Sequence, residues 1–305
     1  MVNSATSSVD LKRILADAQL PALPQSAIRL LELSQNAKNG PAEFAVPIEG
    51  DPGLTGQVLK FVNSSYFGFA REISSVKLAI TMVGIRTIKN FALWSAVFSL
   101  MPNPKCGPFD LKSLWQDSLR RAIFARAFGK LLGVKDAEDL FAAALLQDMA
   151  VPLLAKELAK QYIELLEQRE GGRVHLSQLE QERFGWTHAQ AAAKLTVQWN
   201  LPEEFGRLIE SHASLDVLLP GSGATPGQLA VTLSSLLPAS SDETWYDSAQ
   251  FESAYNALRP VEAPSIPELL EKIDNDFTEF APVLKLATPA KTLADRYHEI
   301  TQVAT

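Results

Sequence analysis

The sequence predicts an all-α protein. Apolar residues recur at the three- and four-residue spacing of amphipathic helices, whereas alternation with a period of two is absent over any useful length. Proline, glycine and asparagine separate one apolar run from the next. The chain has 305 residues, of which 47% are hydrophobic and 21% are charged, a balance that is typical of a globular protein with a substantial core.

Six helices are predicted in the first third of the chain, and most of them have a recognisable start or stop signal. The first follows Asp10 and ends before Pro21. Asp51-Pro52 starts another, with Asp51 as the N-cap and Pro52 at the first helical position. The remaining four are predicted at residues 25 to about 37, 41–49, 76–83 and 85 to about 101.

The rest of the chain is predicted to be helical as well. A long helix from about Leu111 to Leu132 precedes a helix that begins at Asp136 or Asp139 and contains Gln147-Asp148. Pro152 ends or kinks that second helix, because proline has no backbone N–H to donate. Further helices are predicted at residues 156–170, 176–184, 189–199, 203–212 and 228–236, with a helical end around 293–300.

Charge and composition argue against several functional classes. The net charge of −7 and the pI of about 5.3 disfavour nucleic-acid binding, which usually requires a basic face. The densest basic cluster, formed by Arg120, Arg121, Arg126 and Lys130, is spread over more than one helix face and is expected to be a solvated surface. Cys106 is the single cysteine, which excludes an intrachain disulfide and a cysteine-based zinc site.

Neither a membrane span nor a secretion signal is recognisable in the sequence. The longest apolar stretches, such as residues 91–100, are too short to cross a bilayer and are better interpreted as buried helix. The N-terminus is polar and lacks the basic-then-apolar pattern of a signal peptide. We therefore expect a cytoplasmic protein without a membrane partner.

The dipeptide Gln147-Asp148 stands in the apolar run between Leu140 and Val151. Burial of a carboxylate is unfavourable unless the carboxylate is paired or coordinates a cation. A metal-dependent hydrolase would place a histidine beside Asp148, because imidazole and carboxylate together bind divalent metals. Gln147 offers a neutral amide instead and is a poor ligand for such a site.

Two histidines in the second half can meet Asp148, because side chains from separate helices of a bundle converge on internal sites. His188 lies near a predicted helix start, and His212 lies at the end of the next helix. These three residues form a candidate metal or phosphate-facing cluster. The competing interpretation, which residue type alone favours, is that each histidine is a helix cap or a packing residue.

An aromatic turn follows the fourth predicted helix. Asn63 and Ser64 end that helix, and Tyr66 and Phe67 follow directly. The four residues are a candidate binding surface. Capping of the helix by Asn63 and Ser64, with the aromatic rings in the core, explains the same residue types and is the favoured interpretation.

Several segments in a fixed order make residues 20–212 resemble the HDOD domain, the HD-related output domain of bacterial signalling proteins. The segment Asn63–Gly68 is the most specific of them. The similar segments are Leu20–Pro24, Asp51–Leu54, Val62–Gly68, Ile73–Ser75, Ala79-Ile80, Val83–Ile85, Trp199–Glu204 and His212. The resemblance implies an all-α, two-part helical bundle with a C-terminal helical extension.

The resemblance also implies where a metal site would stand. Members of the broader HD superfamily hydrolyse phosphate esters at one or two metals, which are held by an early His, a His-Asp pair, later His residues and a final Asp. At the matching positions this chain has Asp117, the pair Gln147-Asp148, and the two later histidines His188 and His212. The final Asp has no clear match near residues 228–233. The resemblance therefore implies a degenerate site that has lost catalysis.

The domain organisation follows from the resemblance and from composition. We expect a flexible tail at residues 1–12 and an HDOD-like domain at 13–215, with an N-terminal helical subdomain at 13–108 and an HD-like bundle at 109–215. A loop rich in proline and glycine at 219–227 opens a C-terminal extension at 216–305, whose helices are expected to pack on the bundle.

The main hypothesis is a non-catalytic signalling or scaffold protein that binds another signalling protein or a small signalling ligand, without a cofactor or a metal. The groove between the N-terminal helices and the bundle is the expected binding surface. The alternative is a residual metal-dependent phosphohydrolase with Asp117, Asp148, His188 and His212 as ligands. A regulator of nucleic acid is a third hypothesis, which the acidic pI disfavours. The sequence leaves the identity of the partner and the oligomeric state open.

Overall fold

The computed structural model describes residues 10–18 and 22–303, and every regular element among them is helical. The predicted all-α class is therefore confirmed. The six helices of the first part are α1 (Leu11–Asp17), α2 (Gln25–Ser34), α3 (Pro41–Glu49), α4 (Pro52–Val62), α5 (Val76–Val83) and α6 (Ile85–Leu100).

Local sequence signals explain most of these helix ends. The side chain of Asp51 accepts a hydrogen bond from the amide of Leu54 at the start of α4, as the Asp-Pro pair predicts. Helix α2 ends three residues earlier than predicted, at Ser34, because the side-chain amide of Asn39 donates to the carbonyl of Leu33 and ends the helical pattern there.

Two predictions near the N-terminus fall partly outside the described residues. Residues 1–9 of the expected flexible tail lie outside the described residues. Its last two residues, Leu11 and Lys12, are the first residues of α1. Leu11 is buried against the core. Of the extended entry Leu20–Pro24, Leu20 and Pro21 lie outside the described residues.

The second part of the fold is a bundle in which α7 and α8 pack closely side by side. A Cβ atom at Gly129 of α7 would lie only 2.2 Å from a methyl carbon of Leu140 on α8, so glycine is required for this approach. The helices of the bundle are α7 (Leu111–Leu131), α8 (Ala137–Leu146), α9 (Val151–Glu157), α10 (Ala159–Gln168), α11 (Leu176–Phe184), α12 (His188–Gln198) and α13 (Glu203–Ser211).

The sequence predicts that Gln147-Asp148 lies inside a helix. In the structure the pair does not lie inside a continuous helix. Helix α8 ends at Leu146, and the pair occupies the turn that leads to α9. Pro152 has no N–H for the carbonyl of Asp148, which accepts from Val151 at 3.0 Å in a tighter turn. The break places the carboxylate of Asp148 at a corner between two helices, where it can face a cavity.

The C-terminal extension is helical and packs on the bundle, as expected. Its helices α14 and α16 both lie against α7. Capping boxes at Thr225 and Ser265 start these two helices. The extension consists of α14 (Pro226–Ser235), α15 (Ser248–Leu258), α16 (Ile266–Phe280) and α17 (Leu293–Val303).

A cluster of rings joins all three parts of the fold around Phe280 of α16, and we call it the aromatic cluster. The ring of Phe280 lies 5.4 Å from that of Phe61 and 5.3 Å from those of Tyr66 and Phe141, between ring centres. The cluster comprises Phe61, Tyr66, Phe67, Trp94, Phe141 and Phe280. Because α16 contributes the central ring, the C-terminal extension is part of the common core.

Of the basic cluster on α7, Lys130 is exposed as the sequence suggested, but the three arginines are largely covered. Arg120 is 2% exposed and donates to the carbonyl of Lys291, while Arg126 is 6% exposed and stacks on the rings of Tyr66 and Phe141. The C-terminal extension and the aromatic turn cover this side of α7, which sequence spacing alone does not reveal. Among the described residues, no helix is both long and apolar enough to span a membrane.

Candidate functional site

A cavity of about 700 Å³ opens between the bundle and the start of the C-terminal extension, and we call it the central cavity. Its lining residues all lie between positions 108 and 241. This cavity therefore does not lie in the expected groove between the N-terminal helices and the bundle. One face of α7, the α8–α9 turn, the starts of α11 and α12 and the end of α13 form its walls.

Asp148, His188 and His212 meet at the deep end of the central cavity. Oδ1 of Asp148 lies 3.2 Å from Nε2 of His188 and 3.5 Å from Nε2 of His212. The two Nε2 atoms lie 3.0 Å apart, and all three side chains are buried. The structure thus brings together the three residues that the sequence singled out from separate helices.

Arg121 is the cationic partner of Asp148. Its guanidinium donates to Oδ2 of Asp148 at 2.6 Å, on the oxygen that faces away from the imidazoles. The side chain of Arg121 is 15% exposed and lines the central cavity. Sequence reasoning missed this residue, although Asp117 and Arg121 are four residues apart and so share one face of α7, the usual spacing of a helical ion pair.

Glu180 is the buried partner of His188. Its Oε2 accepts from both Nδ1 and the backbone N–H of His188, at 2.6 and 2.7 Å, and its Oε1 accepts from the hydroxyl of Tyr162. A signal for this role exists in the sequence. Glu180 stands at helical spacing between Leu176 and Phe184, where an apolar residue would continue the inward stripe.

The outer nitrogens of both imidazoles are fixed by acceptors. Nδ1 of His212 lies 2.6 Å from the carbonyl of Ile209, which can only accept, so Nδ1 carries the proton. Nδ1 of His188 donates to Glu180. Both Nε2 atoms therefore turn toward Asp148. We call Arg121, Asp148, Glu180, His188 and His212 the polar cluster.

Charge pairing in the polar cluster shifts two pKa values strongly. Burial favours the neutral acid of Asp148, but Arg121 and the two imidazoles outweigh it and hold the pKa of Asp148 well below its ordinary 3.8. Burial likewise favours the neutral imidazole of His188, but Glu180 and Asp148 raise the pKa of His188 from 6.5 to about 10. At neutral pH His188 is thus an imidazolium that donates from both nitrogens.

Asp117 and Gln147 take no part in the polar cluster's hydrogen bonds. Oδ1 of Asp117 accepts from both the amide and the hydroxyl of Ser240, at 2.9 and 2.5 Å. Gln147 is fully buried, does not line the central cavity, and has no hydrogen-bond partner for its amide among the described residues. Asp117 is thus bonded to the C-terminal extension, whereas the amide of Gln147 is buried without a partner in the part of the chain that the structure describes.

The four residues of the candidate binding surface have internal partners. Asn63 donates to the carbonyls of Leu59 and Ile73 and accepts from the amide of Ile73, which closes the aromatic turn. Ser64 donates to the carbonyl of Phe61. Tyr66 and Phe67, both half-buried, belong to the aromatic cluster. A binding role for this surface stays a prediction.

The family model of the HDOD domain matches residues 20–215, which are more than half of the chain. The chain belongs to the HDOD domain family. The resemblance inferred from the ordered sequence segments is confirmed, and α2 to α13 are the helices of the matched domain.

Sequence and structure comparisons place other proteins beside this HDOD chain. An uncharacterised protein of Treponema pallidum (strain Nichols) is 24% identical over 214 residues, which are 69% of this chain and 41% of that protein. The chain thus spans about two-fifths of the length of that relative.

Solved structures show the same fold at low sequence identity. An HDOD domain protein of unknown function from Geobacter sulfurreducens superposes with a TM-score of 0.63 at 19% identity, covering 98% of this chain and 95% of that one. A provisionally named phosphohydrolase from Shewanella amazonensis SB2B gives 0.69 at 19% identity, covering 92% and 100%. A provisionally named signal transduction protein from Marinobacter aquaeolei VT8 gives 0.60 at 19%, covering 90% and 61%.

The donor set decides which metal centre the site can fit. Oδ1 of Asp148 and the Nε2 atoms of His188 and His212 lie 3.0–3.5 Å apart, close to the ligand spacing of about 3.4 Å around a tetrahedral divalent cation. Three ligands for one cation are therefore present, once His188 loses its Nε2 proton. Asp117 lies outside this group of ligand atoms and Gln147 does not line the central cavity, so the described residues bring together the ligands of one cation only.

Proposed function

We propose that this chain is a non-catalytic regulatory HDOD protein, which acts through binding at the central cavity and not through hydrolysis of a phosphate ester. The observation that carries the proposal is the environment of Asp117 and Gln147, which stand at the positions where the HD superfamily has histidine ligands. Asp117 is bound by Ser240, and the amide of Gln147 does not border the cavity. Neither residue belongs to the group of ligand atoms that Asp148, His188 and His212 bring together.

The electrostatics of the polar cluster support the same proposal. Every buried charge in it has a partner within the protein: Arg121 for Asp148, and Glu180 for His188. A hydrolytic metal centre needs deprotonated ligands and an open position for a reactive water. Here a guanidinium and a protonated imidazole neutralise Asp148 instead, so the site is stable without an added cation.

The size of the cavity favours a small ligand as the bound partner. A volume of about 700 Å³ is in the usual range of small-molecule sites. The names of the solved relatives divide between phosphohydrolase and signal transduction, so similarity of fold does not choose between the functions. A signalling partner protein, which the sequence also suggested, and a cytoplasmic location remain predictions.

A second candidate function is a metal-dependent phosphohydrolase with one cation, and one specific observation favours it. Asp148, His188 and His212 point three ligand atoms at a common centre, and both outer imidazole nitrogens are held in the orientation that metal-binding histidines need. A divalent cation at that centre would polarise a phosphoryl oxygen and lower the pKa of a bound water.

The test is to measure metal content and hydrolysis together on the whole chain. Purified protein is analysed for divalent metals, and hydrolysis of bis(p-nitrophenyl) phosphate is assayed with added manganese. The comparison is with Asp148→Ala and, as a control, Asp110→Ala, which removes a cavity-lining carboxylate that is bonded only within the first turn of α7. We expect no hydrolysis that depends on Asp148.

Each result has a definite meaning. Stoichiometric metal together with hydrolysis that Asp148→Ala abolishes and Asp110→Ala retains would overturn the non-catalytic proposal in favour of the second candidate. Bound metal without hydrolysis would support the proposal and identify the cation as part of the binding site. Absence of both is the result that we expect.

A further inference from the structure

The segment from Ala239 to Glu243, which we call the 239–243 segment, closes one side of the central cavity. It connects α14 to α15 and lies outside residues 20–215, which the HDOD family model matches. Ala239 and Ser241 line the cavity directly. The C-terminal extension therefore completes a site whose other walls come from the HDOD domain.

Two contacts attach this segment to cavity walls of the bundle. The first is Ser240, whose amide and hydroxyl both donate to Oδ1 of Asp117 on α7. Asp117 also lines the cavity and is 6% exposed. The second is Asp242, whose Oδ1 accepts from Arg169, another cavity-lining residue, at 2.8 Å.

The turn after α10 is shaped to receive the 239–243 segment. The amide of Glu243 donates to the carbonyl of Gly171 at 2.8 Å. A Cβ atom at Gly171 would lie 2.6 Å from the Glu243 side chain, and one at Gly172 would lie 2.4 Å from that of Asp242. Both glycines also have positive φ angles, 65° and 104°. Only this Gly-Gly pair allows the close approach.

The same segment also contacts the last helix, which packs mainly on α16, where Asp274 accepts from the amides of Leu293 and Ala294. Arg296 of α17 is 7% exposed and donates to the carbonyls of Asp242 and Ser240, at 2.9 and 3.2 Å. The residues that bond to Asp117 and Arg169 on one side thus bond to α17 on the other. A movement of Ser240 and Asp242 away from the cavity wall would displace the two carbonyls to which Arg296 donates.

We infer that the 239–243 segment is a latch through which occupancy of the central cavity controls α17, so that the C-terminal extension is the output of this HDOD domain. The inference rests on the proposed function as far as it requires a ligand in the cavity. Asp117 and Arg169 face both the cavity and the latch, so a ligand that engages either one competes with Ser240 or Asp242. Such competition gives a ligand different affinities for the latched and released states, which coupling requires.

Hydrogen exchange measured by mass spectrometry on the whole chain tests the latch without a ligand. Asp117→Ala imitates a ligand that takes Asp117 away from Ser240. We expect it to lower the protection of amides in residues 239–245 and in α17 by about tenfold, because a hydrogen bond to a buried carboxylate is lost. Peptides from α4 serve as the internal reference for global stability.

Three further variants sharpen the readout. Asp117→Asn keeps an oxygen that can accept from Ser240, so protection in both regions should fall by less than about threefold. Lys112→Ala shortens an exposed side chain of α7 that neither lines the cavity nor bonds to the latch, and should leave both regions unchanged relative to α4. Arg296→Ala should act from the opposite side and expose the amides of Ser240 and Glu243, since coupling is reciprocal.

The inference is overturned if Asp117→Ala exposes residues 239–245 but leaves α17 protected, because the segment is then a local loop. It is also overturned if Lys112→Ala has the same effect as Asp117→Ala. If Asp117→Ala does not fold, Ser240→Ala, which keeps the backbone donor, must expose both regions together or the inference fails. None of these readouts depends on metal or hydrolysis, so failure of the latch is distinguishable from failure of the proposed function.

Discussion

The polar cluster at the deep end of the central cavity and the aromatic cluster around Phe280 are both buried, and both join helices that are distant in the sequence. They are held together in different ways. Ring contacts such as those of Phe280 with Phe61 and Phe141 have no directional requirement, because apolar burial does not depend on single atoms. In the polar cluster each contact is a hydrogen bond between specified atoms, as when Glu180 accepts from His188.

This difference has consequences for substitution and for pH. A buried polar group that loses its partner keeps its desolvation penalty, whereas a shortened apolar side chain loses contacts roughly in proportion to the space that it leaves. We therefore expect the polar cluster to be intolerant of single changes and sensitive to pH. The aromatic cluster should tolerate conservative changes and be indifferent to pH.

The largest effect is expected from Glu180→Ala. The change leaves the protonated ring of His188 and the hydroxyl of Tyr162 without their acceptor inside the protein. Removal of one partner of a buried ion pair lowers the free energy of unfolding by about 3–5 kcal/mol. Urea-induced unfolding, followed by circular dichroism, measures this loss.

A matched control is available on the same helix. Glu182→Ala removes an exposed glutamate two residues away, whose carboxylate accepts only from Gln178 on the helix surface. Its effect should stay within about 0.5 kcal/mol. If Glu180→Ala were as mild as the control, the buried charge pair would not be what stabilises this region.

The second prediction concerns pH, and its sign follows from the two pKa shifts. The pKa of His188 is raised from 6.5 to about 10, so its contribution is complete below pH 6.5 and is lost as the pH rises toward 10. The pKa of Asp148 is lowered below 3.8, so its contribution is complete above that value and is lost in acid. For EDTA-treated protein, the free energy of unfolding should fall between pH 6.5 and 10, by up to about 1.4 kcal/mol per pH unit for one proton.

His188→Gln isolates this proton. The variant should be less stable at pH 6.5, and its stability should decline less steeply than that of the wild type between pH 7 and 9. The imidazole signals of His188 in NMR spectra of the wild type should also remain those of the protonated ring at pH 8. A neutral ring at pH 7 would contradict the raised pKa of His188.

The two clusters were not equally accessible from the sequence. The sequence favours a core position for the rings of Tyr66 and Phe67, because aromatic clusters are usually buried and burial needs no particular partner. Asp148, His188 and His212 were singled out because their chemistry is unusual in apolar helices. What could not be predicted is the partner of each one, since a directional contact depends on how separate helices are placed.

Arg121 and Arg126 show why the prediction failed on α7. Both are long, charged side chains, and helical spacing put them on different faces, so solvent exposure was the simplest expectation. Whether a face is solvated depends on what packs on it, and here α8, α14 and α16 pack on α7. The role of Ser240 was hidden for the same reason, because it is 123 residues away from Asp117 along the chain.

The third prediction tests the aromatic cluster in the same way. Phe280→Leu shortens the central ring, which is 1% exposed, but keeps an apolar side chain in contact with Phe61 and Phe141. The free energy of unfolding should fall by about 1–2 kcal/mol. Its dependence on pH between 7 and 9 should match that of the wild type. A change in the pH dependence would show that the two clusters are coupled.

The smallest effect is expected at Gln147, which stands beside the polar cluster but shares the apolar surroundings of α8. Its amide is fully buried and has no hydrogen-bond partner among the described residues. Gln147→Leu keeps the approximate volume and removes the unsatisfied amide, so the protein should gain about 1 kcal/mol of stability. Gln147→Ala, which also removes the amide but leaves a cavity, should lose stability instead.

The sign of the stability change in Gln147→Leu shows whether the buried amide of Gln147 is unsatisfied or hydrogen-bonded. A gain means that glutamine is retained against its cost to folding, which is expected where a residue serves binding or where it replaced a ligand whose function was lost. A loss of more than about 1 kcal/mol would mean that the amide is hydrogen-bonded, for example to an ordered water. Gln147 would then be an extension of the polar cluster, which would reach back from Asp148 to the C-cap of α8.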